Sequence, residues 1–311
     1  MYYPYLRGKQ FELLALREFS AVYRNCERIV PIIEPVKLAF NGMRTAVQTM
    51  MDNGMRFAVV LNPHEGDLAK VDKDVLAEIP ILRESPDCWI PAFIYNNQSV
   101  QTIRNTDLTD IMVIFKDNVD FANPEIEQLV AQNKVAYVVN SQPDNRFAKR
   151  MFNRIGKQVI RLDEQFVPLA RNIDYVDSAD EPFTSEHLYY QEDGFAGFSD
   201  YMLLPKTYIE GGSLPVAVVI HLTYERSEPD AQVMMMHCCS ESNYDNKNVQ
   251  LKFFEAAREA IRRMEGKYSG DAMEELRSCI NQQSPRYPGL GVVKKISMKH
   301  HLELMNHILS R

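Results

Sequence analysis

The sequence lacks the short signatures that announce common chemistries. No G-x-G-x-x-G, G-x-x-x-x-G-K-S, H-E-x-x-H or G-x-S-x-G occurs in its 311 residues. That argues against the usual dinucleotide fingerprint, P-loop, zincin helix and nucleophile elbow. "YPGLGVV" has two glycines but neither the third nor a strand–helix context. No Cys-x-x-Cys pair is present among five irregularly spaced cysteines, so a zinc ribbon is not expected. No cysteine sits in a recognisable Cys/His setting, and all five read as reduced thiols of a cytoplasmic protein. No apolar run approaches the ~18–20 residues of a membrane span. The start lacks a basic segment followed by an apolar one, so no secretory signal is expected. Excess positive charge is missing too. Lys and Arg number 35 against 42 Asp and Glu, a net charge of −7, which argues against bulk coating of nucleic acid. No Gly/Ser/Pro linker, low-complexity stretch or short-period repeat interrupts the chain.

What is present is a rhythm. Short, nearly continuous apolar runs recur, each followed by a polar loop or a helix: "RIVPIIEPV", "RFAVVLNP", "CWIPAFIYNN", "DIMVIFKD", "KVAYVVNSQ", "KQVIRLDEQ" and "GFSDYMLLP". Runs of this kind mark strands buried on both faces, as in parallel sheets covered by helices. Helices are expected between them: "RTAVQTMMDNG" closed by Gly54, "SVQTIRN" capped by Ser99, "PEIEQLVAQN" opened by Pro124, and "DNRFAKRMFNRIG" closed by Gly156. These seven strands become eight if "YYPYLR" is the first and "KQFELLALREF" the first helix. Eight strands complete a (β/α)8 TIM-type barrel, with an open doubly wound sheet as the alternative. Beyond residue 205 the rhythm changes. "LPVAVVIHLTYE" and "AQVMMMHCCSES" read as an added antiparallel pair. An amphipathic helix follows, then further helices, the last with His300, His301 and His307 on a solvated face. The expectation is a single domain over 1–311, with a barrel core over 1–205 and a β-hairpin plus helical extension over 206–311.

In such a barrel the site lies at the C-terminal strand ends. The pattern places Arg7, Lys9, Glu34, Lys37, Asn62, His64, Tyr95 to Asn97, Lys116, Asn140, Asp163 and Asp200 there. Glu34, Asp163 and Asp200 are the candidate catalytic acids. They could surround a divalent metal for phosphodiester or nucleotide hydrolysis, or serve as rim ion pairs. Arg7, Lys9, Asn62 and Lys116 are candidate ligand-binding residues, the cations for a phosphate or nucleotide. His221 and His237 could meet across the late strand pair. The acidic, aromatic "RNIDYVDSADEPFTSEHLYY" could be a lid or a protein-binding face.

Four stretches taken together carry a likeness: "YYPYLRGKQFELLALRE", "VPIIEPV", "LARNIDYVDSADEPFTSEHLYYQEDGFAGFSDY" and "AVVIHLTYE…MMHCCSES". They resemble the beta-protein family, named after a phage protein, and its bacterial relatives on mobile islands, from the first residue to about Phe254. The resemblance implies a barrel-like fold. It also implies a component of a phage-defence or mobile-element module that binds and regulates a nuclease-like product of a neighbouring gene. This chain departs from the pattern in having Cys238-Cys239 after His237, where relatives tend to have an aromatic.

Overall fold

The computed structural model describes residues 1–211, 216–281, 283 and 285–311. Eight parallel strands form one sheet in chain order: β1 (Tyr5–Leu6), β2 (Ile32–Ile33), β3 (Phe57–Val60), β4 (Trp89–Ile94), β5 (Ile111–Phe115), β6 (Val135–Asn140), β7 (Gln158–Asp163) and, after β8 (Glu181–Thr184) of another sheet, β9 (Gly197–Asp200). The segment leading into β1 is joined to the last strand, β9, by an isolated parallel bridge, Tyr2 to Phe198. The Tyr3 amide donates to the Phe198 carbonyl (2.8 Å) and the Phe198 amide to the Met1 carbonyl (3.1 Å). The expected (β/α)8-type barrel is therefore present, and the aromatic opening of the chain is its first staves. Gly197 is required at this seam. A Cβ there would lie 2.5 Å from the Tyr3 ring and 2.9 Å from the Met1 carbonyl oxygen, too close for any side chain. Pro4 and Pro31 precede short strands, while Pro91 lies within β4.

Helices follow the strands: α1 (Gln10–Val22), α2 (Asn41–Asp52), the short α3 (Val75–Glu78) and α4 (Ile81–Glu84), α5 (Asn97–Asn105), α6 (Pro124–Val130), α7 (Arg146–Ile155) and α8 (Glu186–Tyr189). Their ends obey local rules. Gly156 closes α7 at φ +72°, the left-handed conformation that glycine tolerates best. Helix α5 starts two residues before Ser99. Asn96 is its N-cap, accepting from the Ser99 amide (2.6 Å), while the Asn96 amide donates to the Ser99 hydroxyl (2.9 Å). Ser99 is the reciprocal partner of a capping box rather than the cap.

The chain divides into two compact units. The first is Met1–Leu13, Ser20–Glu164 and Glu186–Tyr201, which holds the barrel strands. The second is Leu14–Phe19, Gln165–Ser185 and Met202–Arg311. It contains the antiparallel sheet β10–β11–β8, with β10 (Val219–Glu225), β11 (Val233–Cys239), and the helices α9 (Val249–Arg263), α10 (Asp271–Cys279) and α11 (Leu290–Ile308). The late strand pair thus belongs to a separate three-stranded sheet. Leu214 and Pro215, the expected start of its first strand, lie outside the described residues. Even-numbered side chains of β10 and β11 (Ile220, Leu222, Met236, Cys238) enter a core with Phe253, Ala257, Met273, Leu276 and Ile296. Cys238 is buried and Cys239 half-buried, as alternation requires.

Helix α11 corrects the expectation of a solvated face. His300 and His301 are fully buried, and Lys295 and Lys299 nearly so. The His300 Nε2 lies 2.8 Å from the Thr223 carbonyl, and His301 Nδ1 lies 2.9 Å from the Thr223 hydroxyl. The charge pattern looked amphipathic because surface carboxylates, far away in sequence, receive the lysine heads.

Candidate active site at the barrel mouth

Glu34 follows β2 and is fully buried. Four donors converge on its carboxylate. On Oε2 these are the Tyr5 hydroxyl at 2.5 Å and Lys116 Nζ at 3.1 Å; on Oε1 they are the backbone amides of His64 at 2.7 Å and Glu65 at 3.1 Å. A carboxylate can accept about four hydrogen bonds, so Glu34 is saturated. Lys116 directly follows β5, and its ammonium also reaches Glu65 Oε1 at 2.5 Å. The second oxygen of Glu65 accepts from Arg7 Nε at 2.9 Å. One carboxylate therefore bridges two nearly buried cations. Burial pushes the Glu65 pKa up, but Lys116 and Arg7 outweigh it and leave the group below its ordinary value. Lys116 also lies over the Tyr5 ring, 5.0 Å from its centroid.

The loop after β3 makes this convergence possible. Asn62 accepts from the Ile94 amide and donates to the Ile94 carbonyl, both at 2.8 Å, so its side chain extends the β3–β4 ladder. Pro63 then turns the chain, and the next two amides face Glu34. Gly66 sits at φ +69° with no room for a Cβ, since the Val36 carbonyl oxygen would be 2.4 Å away. The Asp67 amide donates to that same carbonyl at 2.8 Å. This loop is pinned at both ends by backbone bonds, which is how a polar stretch without periodicity places Glu65 so well.

Tyr201, directly after β9, stands beside this cluster. Its ring meets the Tyr5 ring edge-on at 5.3 Å, and the Arg7 guanidinium lies over it at 4.8 Å. The residue is 2 % exposed, yet its hydroxyl has no hydrogen-bond partner among the described residues. A buried unpaired hydroxyl costs about 1–3 kcal/mol, so this one needs a reason. Burial raises its pKa, opposed by Arg7, and Glu65 adds to the rise. At the rim, His64 is exposed. Its Nε2 is 2.9 Å from Asn96 Nδ2. Since Asn96 Oδ1 is engaged as the α5 cap, the amide nitrogen faces His64, so Nε2 accepts and the ring proton sits on Nδ1. Partial burial lowers the His64 pKa, Glu34 opposes that, and Lys116 adds to it. The imidazole is neutral at pH 7.

The remaining expected residues lie elsewhere. Lys9 is half-buried; its amide, with that of Arg7, faces the carboxylate of Glu12, a buried cap at the start of α1 (3.5 and 2.7 Å). Asp163 pairs with Arg161 at 2.6 Å, and Arg161 also meets Glu186 at 3.2 Å. Burial nonetheless raises the Asp163 pKa. Asp200 accepts from the Tyr2 hydroxyl at 2.7 Å. Glu34, Asp163 and Asp200 are thus each taken by a different partner. Among the described residues, no group of three or more His, Cys, Asp or Glu could hold a metal ion. The expectation of these three carboxylates around a divalent cation is corrected on that ground. Glu65 and Tyr201 were not singled out from sequence. A Glu two residues after a strand-terminal Asn-Pro was the one available cue.

In the second unit His221 and His237 do meet, as cross-strand partners with Nδ1 atoms 2.8 Å apart. Tyr175 packs on both rings (4.9 and 4.6 Å) and Phe166 on His221 (5.2 Å). Burial, reinforced by His237, pushes the His221 pKa down to about 3. One hydrogen shared between the two Nδ1 atoms links the rings, and His237 Nε2 lies 3.4 Å from Glu181 Oε1.

No family model, no curated protein and no solved structure matches this chain. Among the described residues no helix is long and apolar enough to cross a membrane.

Proposed function

We propose that the barrel mouth is a recognition site for a small ligand carrying a carboxylate or phosphate group, including a nucleotide. The observation that carries this reading is the unpartnered hydroxyl of Tyr201 beside Arg7. Among the described residues it is a buried donor without an acceptor, on a ring covered by the Arg7 guanidinium, which Glu65 holds. An anionic ligand supplies what the hydroxyl lacks. The neutral imidazole of His64 stands at the rim as a further polar contact. If the ligand is turned over, the chemistry fits a barrel hydrolase in which Lys116 and Arg7 steady developing negative charge.

The test is thermal stabilisation across inorganic phosphate, nucleoside phosphates and small carboxylates, on the wild type and Tyr201→Phe. A ligand at ten times its Kd adds roughly 1.4 kcal/mol, a rise of about 2–4 °C for a domain of this size. Tyr201→Phe should keep or slightly raise the melting temperature without ligand, because it deletes an unsatisfied group. It should lose most of the ligand response. No compound distinguishing the two proteins would sink the reading and leave the mouth as a structural ion cluster.

The likeness to the beta-protein family carries a second reading, a component of a phage-defence or mobile-element module that binds a nuclease-like partner. Its local support is the apolar exposure of Val167, Leu169 and Val176 in the long segment after β7. Val167→Glu with Leu169→Glu should abolish co-purification with the neighbouring gene product. Unchanged co-purification rejects that surface.

A further inference from the structure

Glu34 and Glu65 share Lys116 but are held very differently. Glu34 is locked by four donors and has no exposed surface, whereas the Glu65 side chain keeps 15 % of its exposure. The backbone of Glu65 is fixed, its amide on Glu34 and the following residues on Val36. Its side chain, partly exposed, is the part of the residue that the loop's backbone bonds do not hold. Were it to leave, Arg7 and Lys116, both nearly buried, would lose the carboxylate they share. Taking one carboxylate from a buried charge cluster is strongly unfavourable, so another anion in the same place favours the departure. The two donors, Arg7 Nε and Lys116 Nζ, are already spaced for the two oxygens of one carboxylate.

We infer that Glu65 is an exchangeable resident anion: its carboxylate occupies the seat of the ligand's own anionic group, and binding proceeds by one-for-one exchange. This deepens the proposed ligand site and rests on it. The exchange admits planar carboxylates, or a phosphate using two of its oxygens, and it excludes neutral analogues of the same shape. The incoming group would meet Arg7 and Lys116 on two oxygens, near the Tyr201 hydroxyl.

Chemical rescue tests this directly. Glu65→Ala should melt lower than the wild type, and acetate should restore it, at constant ionic strength set with sodium chloride. Acetamide, uncharged and of equal size, should not. Acetate should bind the variant at least about tenfold more tightly than the wild type, a difference of about 1.4 kcal/mol. Equal response to acetate and acetamide, or a variant no more responsive than the wild type, overturns the exchange. If Glu65→Ala does not fold in plain buffer, it should fold when refolded with acetate, and Glu65→Gln should show the same preference. Failure of both to gain acetate affinity is equally decisive against it. Should Tyr201-dependent binding of a phosphate or carboxylate survive that failure, the mouth remains a ligand site and only the exchange is wrong. Acetate rescue without any Tyr201-dependent ligand leaves the seat standing and removes the function proposed for it.

Discussion

Lysines are buried between carboxylates in both units, and the two arrangements differ in where the carboxylates stand. At the barrel mouth Lys116 lies between Glu34 and Glu65, whose side chains are 0 % and 15 % exposed. On α11, Lys295 and Lys299 point to Glu18, Glu275 and Asp271, with side chains 36 %, 29 % and 52 % exposed. The α11 lysines bury their stems and send their heads to the water's edge. There solvent screens the pairs, and each is worth little. The mouth has no such screen. Its charges hold one another in place, and removing one strands the others. A buried lysine is therefore not a single kind of feature: the exposure of its partner decides what it is worth.

Glu34→Ala is the strongest way to break this contrast. It should cost about 3–5 kcal/mol, because the Tyr5 hydroxyl and two loop amides lose their acceptor together and Lys116 loses one of its two carboxylates. Urea unfolding would read the loss. A cost below about 1 kcal/mol would mean that water enters the mouth and that the two lysine sites are alike.

Acid should separate the units next. The second unit keeps its histidines neutral and buried: burial lowers His221 and His301 to about 3 and His300 to about 4. These folded values lie below the ordinary 6.5, so the unfolded chain binds more protons as pH falls. Stability contributed by the three groups is full above pH 6.5 and is lost progressively down to about pH 3–4. Glu303 has the opposite sign. Burial raises it to about 7 from 4.5, so its contribution is full below pH 4.5 and fades as pH rises through about 7. Melting followed from pH 8 to pH 4 should fall on acidification, and His301→Leu should flatten that fall. A variant as acid-sensitive as the wild type would argue that the carboxylates of the barrel set the acid limit.

The smallest effect is expected at Glu275→Gln. Its two contacts to Lys295 are short, 2.7 Å each, but the carboxylate is half-buried and Glu18 makes the same contacts. A loss of about 0–1 kcal/mol is expected, shrinking further in high salt. A loss like that of Glu34→Ala would erase the contrast between the units.

Much of the barrel was legible because its signals are local. The strands "RFAVVLNP" and "DIMVIFKD" are apolar without alternation, and the observed β3 and β5 fall inside them. Gly156 and Pro124 mark helix ends for reasons internal to a few residues. Strand β8 was not legible: four residues with Pro182 and two acidic or polar neighbours carry no strand period, and only pairing with β11 makes them a strand. The site was read in part. Arg7, Glu34 and Lys116 are brought together, since strand-end position follows from the strand pattern. Glu65 lies in a polar loop, and Tyr201 was absorbed into an apolar run, so neither bore a mark of its own.

By itself the sequence determined the βα rhythm, the eight strands and which residues stand at their ends, because periodicity and capping act over a few positions. Tertiary structure alone decided the partners: which carboxylate shares Lys116, why α11 buries two histidines, and where Tyr201 is left without an acceptor. Those outcomes depend on contacts between residues tens to hundreds of positions apart, and on how far water reaches each pair.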